Sequence, residues 1–508
     1  PALTGIVLTL VVLLLIILKN RFNHWVTFKK ASFGYSIASD IATKALSNYF
    51  TIPYTKFTEA DYSREVNRII NIPITFANNF VIPAGTILAE LCIALMLLVS
   101  VSIYNIYLLL FIAVIVAPVG LVYFIKRKQL RTVSKELKVA YPQLLKHTLQ
   151  SVEGLNEIRS FGKEMFFKSR FQKAYDHLGR LFSKDHTASV NAARITEIVA
   201  ATCIGSVIIY ALLSKQSYEQ TILLITIYAG AGFRAIPSIN RIFSASLQMK
   251  THEYVLDEIK QMHNVDSKVT GQLTTALPFK NAISLDNISF GHNSDQYILK
   301  DISLIIRKGE KIAIMGKSGS GKTTLLLLLL RYITPQTGGI TIDGEKIAGQ
   351  HAASFRRLMG YVPQSPYILD ASVTENIAFG IEASEIDTQK IAKLVSDLDL
   401  QSWIDTLPQG IHTRIGEKGT KISGGQRQRL AIARALYYNA EVLLLDEITN
   451  QLDRQTEEAV MHLLRHDIFK NKTVIFITHK SDLLHYFHSI YTIEQGKIKS
   501  VLSRPVHS

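Results

Sequence analysis

Five apolar runs, at residues 2–18, 80–101, 106–125, 195–213 and 221–243, fill much of the first half of the chain. Each is close to the roughly 20 residues that a helix needs to cross a bilayer core. Backbone groups in lipid must satisfy one another, so runs of this kind fold as helices. One such run could be a buried core helix; five, separated by long polar connectors, predict membrane spans. Composition agrees: 48% of residues are hydrophobic, 19% are charged, and mean hydropathy is +0.18. The net charge of +15 has two readings, nucleic-acid binding or a surplus of Lys and Arg beside membrane helices. Position favours the second. Lys29, Lys30, Lys126, Arg127, Lys128 and Arg131 lie in the two long connectors, 19–79 and 126–194. The positive-inside rule makes these connectors cytoplasmic and the short turns, around Tyr104-Asn105 and at 214–220, external.

The long connectors read as helical: 126–141 is rich in Lys, Leu and Glu, and Pro142 comes only at its end. Five spans place the two chain ends on opposite sides of the membrane. The expectation is therefore that an earlier helix precedes Pro1; a first run lying on the membrane surface is the alternative, but 2–18 lacks a polar face. Cys92 and Cys203 both sit in apolar runs and read as small buried hydrophobes. A polar linker is expected at 250–281, between a membrane domain at 1–249 and a second domain at 282–502.

That second domain alternates strand-like and helix-like runs, as an α/β fold with a parallel sheet does. It contains Gly316-Lys317-Ser318-Gly319-Ser320-Gly321-Lys322-Thr323-Thr324, which fits G-x-x-x-x-G-K-[ST] between an apolar strand at 311–315 and a leucine-rich helix. Glycines let backbone N–H groups turn inward around phosphate, and the helix N-terminus adds favourable potential. Lys322 is placed to reach the β- and γ-phosphates and Thr323 to ligate Mg²⁺. Further on, the strand-like run Val442-Leu443-Leu444-Leu445 ends in Asp446-Glu447. Asp446 is a candidate Mg²⁺ ligand, and Glu447 a candidate general base for the attacking water.

Between these two motifs stands Ile422-Ser423-Gly424-Gly425-Gln426. It resembles the LSGGQ signature of the ATP-binding cassette (ABC) superfamily, with Ile for Leu. The resemblance implies an all-α transmembrane helical domain followed by an α/β P-loop nucleotide-binding domain, in the order of an exporter half-transporter with six spans per half. It implies ATP and Mg²⁺ as ligands, and a second half-transporter, the same chain or a different one, whose signature residues Ser423–Gln426 close over the bound γ-phosphate. Gln364 in Tyr361-Val362-Pro363-Gln364 is similar to the Q-loop glutamine, which contacts metal and water. His479 in Ile477-Thr478-His479-Lys480 is similar to the switch histidine, and Asp453 in Asn450-Gln451-Leu452-Asp453 to the D-loop aspartate. The segment Thr413-Arg414-Ile415-Gly416-Glu417-Lys418-Gly419 resembles the exporter X-loop, and 153–164 the region of the second coupling helix. The D-loop departs from S-A-L-D. The adenine-stacking position falls on His292, with Tyr297 as an alternative.

The transported substrate has to be argued from charges in the spans, which are expensive there and usually functional. These are Glu90, Arg194, Glu197, Arg234 and Arg241, with Lys19 and Arg21 at the end of the first run. Arg234 and Arg241 are seven residues apart, two helical turns, with Pro237 between them expected to kink the helix. Internal pairing, for example Glu90 with Arg234, competes with a substrate role for Lys19, Arg194, Arg234 and Arg241. Guanidinium suits phosphate, and 233–241 is similar to the last span of lipid-linked oligosaccharide flippases. The expectation is a multi-pass protein of the inner (plasma) membrane, its ATP-binding domain cytoplasmic, that exports or flips an anionic lipid or lipid-linked glycan. A peptide or drug exporter, a soluble ABC ATPase on nucleic acid and a non-transport membrane ATPase are the alternatives; no nucleic-acid partner is expected.

Overall fold

The computed structural model describes residues 2–59, 61–104, 107–213, 218–263, 277–293, 296–416, 422–450 and 452–503. It divides into two compact units. The first comprises 1–52 and 56–267, the second 53–55 and 268–508.

The first unit is helical. Its long helices are α1 (Ala2–Phe50), α2 (Ile82–Tyr104), α3 (Tyr107–Glu153), α4 (Glu164–Leu213) and α5 (Tyr218–Thr251). Each carries most or all of one predicted apolar run, and α1, α3 and α4 continue far into the polar connectors, as Lys- and Glu-rich sequence without internal breakers allows. Two π-helical turns, Asn67–Asn71 and Ala77–Val81, precede α2. Among the described residues, Leu3–Phe50 and Tyr62–Met96 hold helix long and apolar enough to cross a membrane. The other three runs include residues whose side chains lie outside the described set. None of the most apolar window of α1 is buried by the chain itself, so Leu8, Leu13 and Ile17 present bare hydrocarbon. That is costly in water and neutral in lipid. Cys92 is likewise exposed, not buried as the sequence suggested. Helix α5 continues through Pro237.

The expected linker is in part a helix, α6 (Tyr254–His263), packed in the first unit. Glu258, only 4% exposed, fixes it by ion pairs with Arg68 at 2.8 Å, Lys138 at 3.0 Å and Arg64 at 3.4 Å. The apolar face of α6 adds to this: Val255 and Met262 are buried in a cluster with Ala45, Ile72 and Phe80, and the ionic partners come from residues about 120 and 190 positions away.

The second unit holds two sheets. An antiparallel sheet has the order β2-β1-β4-β5, with β1 Ala282–Asn293, β2 Gln296–Arg307, β4 Thr337–Ile342 and β5 Glu345–Lys346. A six-stranded sheet has the order β10-β9-β3-β8-β7-β6. In it β3 (Lys311–Met315) lies parallel between β8 (Thr473–Thr478) and β9 (Ser489–Glu494), and β8 is followed by β7 (Val442–Asp446) and β6 (Met359–Val362). Only β10 (Lys497–Ser503) runs antiparallel, at the edge. The parallel-sheet expectation thus covers five strands and misses the antiparallel layer, whose strands alternate apolar and polar residues as half-covered strands do. Ile312, Ile314, Leu443, Leu444, Val474 and Phe476 are fully buried, the two-sided burial that parallel strands require.

Candidate active site

The phosphate loop leaves the C-terminal end of β3 and enters α7 (Lys322–Leu329). Its glycines are needed for space. A Cβ on Gly316 would stand 2.5 Å from the Ile493 carbonyl oxygen. Gly321 has φ +104°, and a Cβ there would reach 2.6 Å from Leu299 Cδ2. Ser320 Oγ is buried without a partner. Lys322, 7% exposed, folds back so that Nζ donates to the carbonyls of Gly316 at 2.8 Å and Lys317 at 3.1 Å. An orphaned hydroxyl, a buried ammonium and a helix N-terminus around one small loop fit a phosphate chain. Lys317, Ser318 and Gly319 are exposed on the loop; Thr323 is exposed and Thr324 half-buried on the first turn of α7.

Two strands away, β7 delivers Asp446 and Glu447 to the same sheet edge. Glu447 has φ +46°, an unusual conformation for a non-glycine residue and one that often marks function. Its N–H donates to the Ile477 carbonyl at 3.0 Å. Its Oε1 stands 3.7 Å from Lys322 Nζ and 3.9 Å from His479 Nδ1. Its Oε2 accepts from Asn450 Nδ2 at 2.5 Å. The structure therefore gathers Lys322, Glu447 and His479. Asp446 sits beside them, with the Tyr361 hydroxyl donating to Oδ2 at 3.4 Å. Burial and the neighbouring Glu447 carboxylate hold the Asp446 carboxyl above its ordinary range. Asp446, Thr323 and Gln364 offer hard oxygen donors of the type Mg²⁺ takes together with substrate phosphates. Gln364 is exposed after β6, and its carbonyl accepts from Gln428 Nε2 at 2.8 Å.

Ser423 caps α8 (Gly424–Tyr437) in a reciprocal box. Gln426 N donates to Ser423 Oγ at 3.2 Å, and Ser423 N donates to Gln426 Oε1 at 2.8 Å. Gly425 lies against Thr456 Cγ2 so closely that any Cβ would collide, a packing reason for this glycine that the motif alone does not reveal. Asp453 caps α9 (Arg454–Leu463), accepting from Thr456 N at 2.9 Å and Thr456 Oγ1 at 2.7 Å. Those bonds hold its carboxyl below the ordinary range. The side chain of His292, on β1, lies outside the described residues, as do those of Glu417, Lys418 and Gly419 in the X-loop-like segment; Tyr297 is 38% exposed on β2.

Sequence reading passed over the Asn450 contact and the ion pair of Lys480 with Glu457, which ties the segment after His479 to α9. In the membrane unit it named Arg234 as an example partner for Glu90. Among the described residues Arg241 pairs with Glu90, its NH1 donating to Glu90 Oε1 at 2.5 Å, and the Ser238 hydroxyl donates to Oε2 at 2.5 Å. Ser238 and Arg241 are three residues apart and share a helix face. The side chain of Arg234 lies outside the described residues, while Lys19, Arg194 and Glu197 are exposed.

A helical membrane unit joined to a P-loop α/β unit with acids at the end of β7, two strands away in the same sheet, defines a class, the ATP-hydrolysing membrane transporters. Comparison with known families agrees. Residues 299–450 match the model described as ABC transporter, and residues 3–230 match the ABC transporter transmembrane region. The chain belongs to the ABC transporter superfamily and has the exporter architecture. Among its relatives are two proteins called ATP-dependent lipid A-core flippase. The one from Bordetella avium is 28% identical, over 96% of this chain and 83% of that protein. The one from Saccharophagus degradans is 31% identical, over 75% and 64%. The heterocyst differentiation ATP-binding protein HepA of Nostoc is 31% identical, over 73% and 60%. The fold matches that of a bacterial Atm1-family ABC exporter with ATP bound, with a TM-score of 0.78 and 21% identity over 95% of this chain and 84% of that one.

Proposed function

We propose that two half-transporters, this chain and a second copy or a related chain, pair in the inner (plasma) membrane and use ATP to flip an anionic lipid or lipid-linked glycan. The observation that carries the hydrolytic part is the meeting of Lys322, Glu447 and His479 at one sheet edge. Lys322 donates to its own loop carbonyls; phosphate oxygens are better acceptors and draw it outward. Glu447 then orients the attacking water and accepts its proton. His479 holds the terminal phosphate, and Gln364, after β6, serves the metal and the attacking water. Mg²⁺, held by Thr323, Asp446 and Gln364 with the phosphates, would neutralise charge there. Ser423–Gln426 present backbone N–H groups at the start of α8, an anion site suited to the partner's nucleotide.

The flipping part rests on the names of the relatives and on the chemistry of the spans. Arg241 pairs with Glu90 yet keeps its side chain 54% exposed, leaving guanidinium donors for a phosphate. The turn between α3 and α4 holds a short helix, Leu155–Ser160, and exposes Phe161, and Met165 and Phe166 are exposed at the start of α4. The reading is tested on the full-length protein in liposomes. Phosphorylated lipid A should stimulate ATPase activity several-fold and its dephosphorylated form should not. Equal stimulation by a neutral lipid, or by peptides alone, overturns the substrate class.

A further inference from the structure

Glu90 is an acid on α2, in a 23-residue segment with no other charged residue. It is 4% exposed. Such a carboxylate persists only with partners that offset its desolvation. Among the described residues its partners include the Ser238 hydroxyl and the Arg241 guanidinium, each at 2.5 Å, with electrostatic attraction from Lys30 of α1. Lys30 is anchored by donating to Thr86 Oγ1 at 2.7 Å, one helical turn before Glu90. A guanidinium, an ammonium and a hydroxyl converging on one anionic group is also the chemistry that recognises a phosphate. Among these described groups the charges sum to one surplus positive charge. Beside Lys30 lies a groove of about 480 Å³ lined by Phe33, Phe76, Phe80, Leu88 and Met249, apolar enough for a hydrocarbon chain.

We propose that the Glu90 carboxylate is a resident anion that occupies a phosphate-recognition site, and that the phosphate of a lipid substrate displaces it from Arg241. On displacement Glu90 keeps the Ser238 hydroxyl and the field of Lys30, and the substrate's hydrocarbon lies along the groove. Glu90 sets specificity by competition. A neutral lipid cannot take Arg241 from it, while a phosphate carries enough charge to do so. The inference rests on the anionic-lipid reading above.

The test uses the full-length transporter in nanodiscs, with phosphorylated lipid A and its dephosphorylated form as probes. Wild type should bind the phosphorylated form more tightly. Glu90→Gln keeps size and hydrogen bonding while removing the competing charge. It should lower the Kd for the phosphorylated lipid about tenfold and leave the dephosphorylated lipid unchanged. Ser238→Ala, which loosens Glu90 without altering charge, should shift the Kd in the same direction by a smaller factor and serves if Glu90→Gln fails to fold. Arg241→Gln should abolish the preference for phosphate. No preference in wild type overturns the substrate reading and this inference with it. A wild-type preference that neither Glu90→Gln nor Ser238→Ala strengthens overturns the inference alone.

Discussion

At the scale of single residues, Glu447 is the point on which the ATP site turns. Its backbone is left-handed and its two oxygens are divided between Lys322 and His479 on one side and Asn450 on the other. Replacing it with Gln should preserve ATP binding and lower turnover by about 10² or more; undiminished ATPase activity in liposomes means that the base is another group. Asn450 occupies a D-loop position where the family has Ser. Because its amide steadies the Glu447 carboxylate, Asn450→Ala should lower kcat about tenfold with ATP affinity unchanged. A matching loss of affinity would make Asn450 a binding residue instead. The motif residues were legible in the sequence because phosphate chemistry fixes both their types and their spacing. Asn450 registered there only as a departure from pattern, since a side-chain contact across three residues of irregular backbone leaves no periodic trace.

At the scale of elements, two contacts decide how helices are held. Gly425 lets α8 approach α9 at Thr456. Gly425→Ala should destabilise the nucleotide-binding unit by about 1–3 kcal/mol. Thr456→Ser, which deletes the obstructing methyl and keeps the hydroxyl that bonds Asp453, should restore most of it. Thermal unfolding of the single and double variants checks this; a double variant no better than the single one places the strain elsewhere. Glu258 fastens α6 through three cations. Burial works against its ionised form, yet hydrogen bonds from Lys138 and Arg68 outweigh burial and hold the carboxyl below its ordinary 4.5. A depressed folded value contributes stability that is fully present above the unfolded value and is lost as pH falls through the folded one. The stability difference between wild type and Glu258→Gln should therefore be flat above about pH 5 and shrink below about 4.5. A difference independent of pH down to 3.5 rules out the ionic fastening. This helix was invisible to composition, which marked 250–281 as polar linker. The long helices were legible because apolar runs and the absence of breakers act locally, whereas α6 is short and is held by ionic and apolar partners distant in sequence.

At the scale of the molecule, the chain joins a helical unit whose first helix presents unburied hydrocarbon to an ATPase unit with its site at one sheet edge. The fold class, a helical membrane domain followed by an α/β nucleotide-binding domain, was legible from the apolar runs and the nucleotide motifs together. The antiparallel sheet β2-β1-β4-β5 was not foreseen, because alternating strands of this kind carry no signature motif. The charges of the spans were legible as a set, but their pairing was not: Ser238 and Arg241 reach Glu90 across about 150 residues, a distance that only the folded helices close. Translocation of a fluorescent phosphorylated lipid in sealed proteoliposomes tests the coupling of the two units most directly. The account predicts leaflet exchange that requires ATP and is lost in Glu447→Gln. Exchange that proceeds equally without ATP, or that persists in Glu447→Gln, would contradict it.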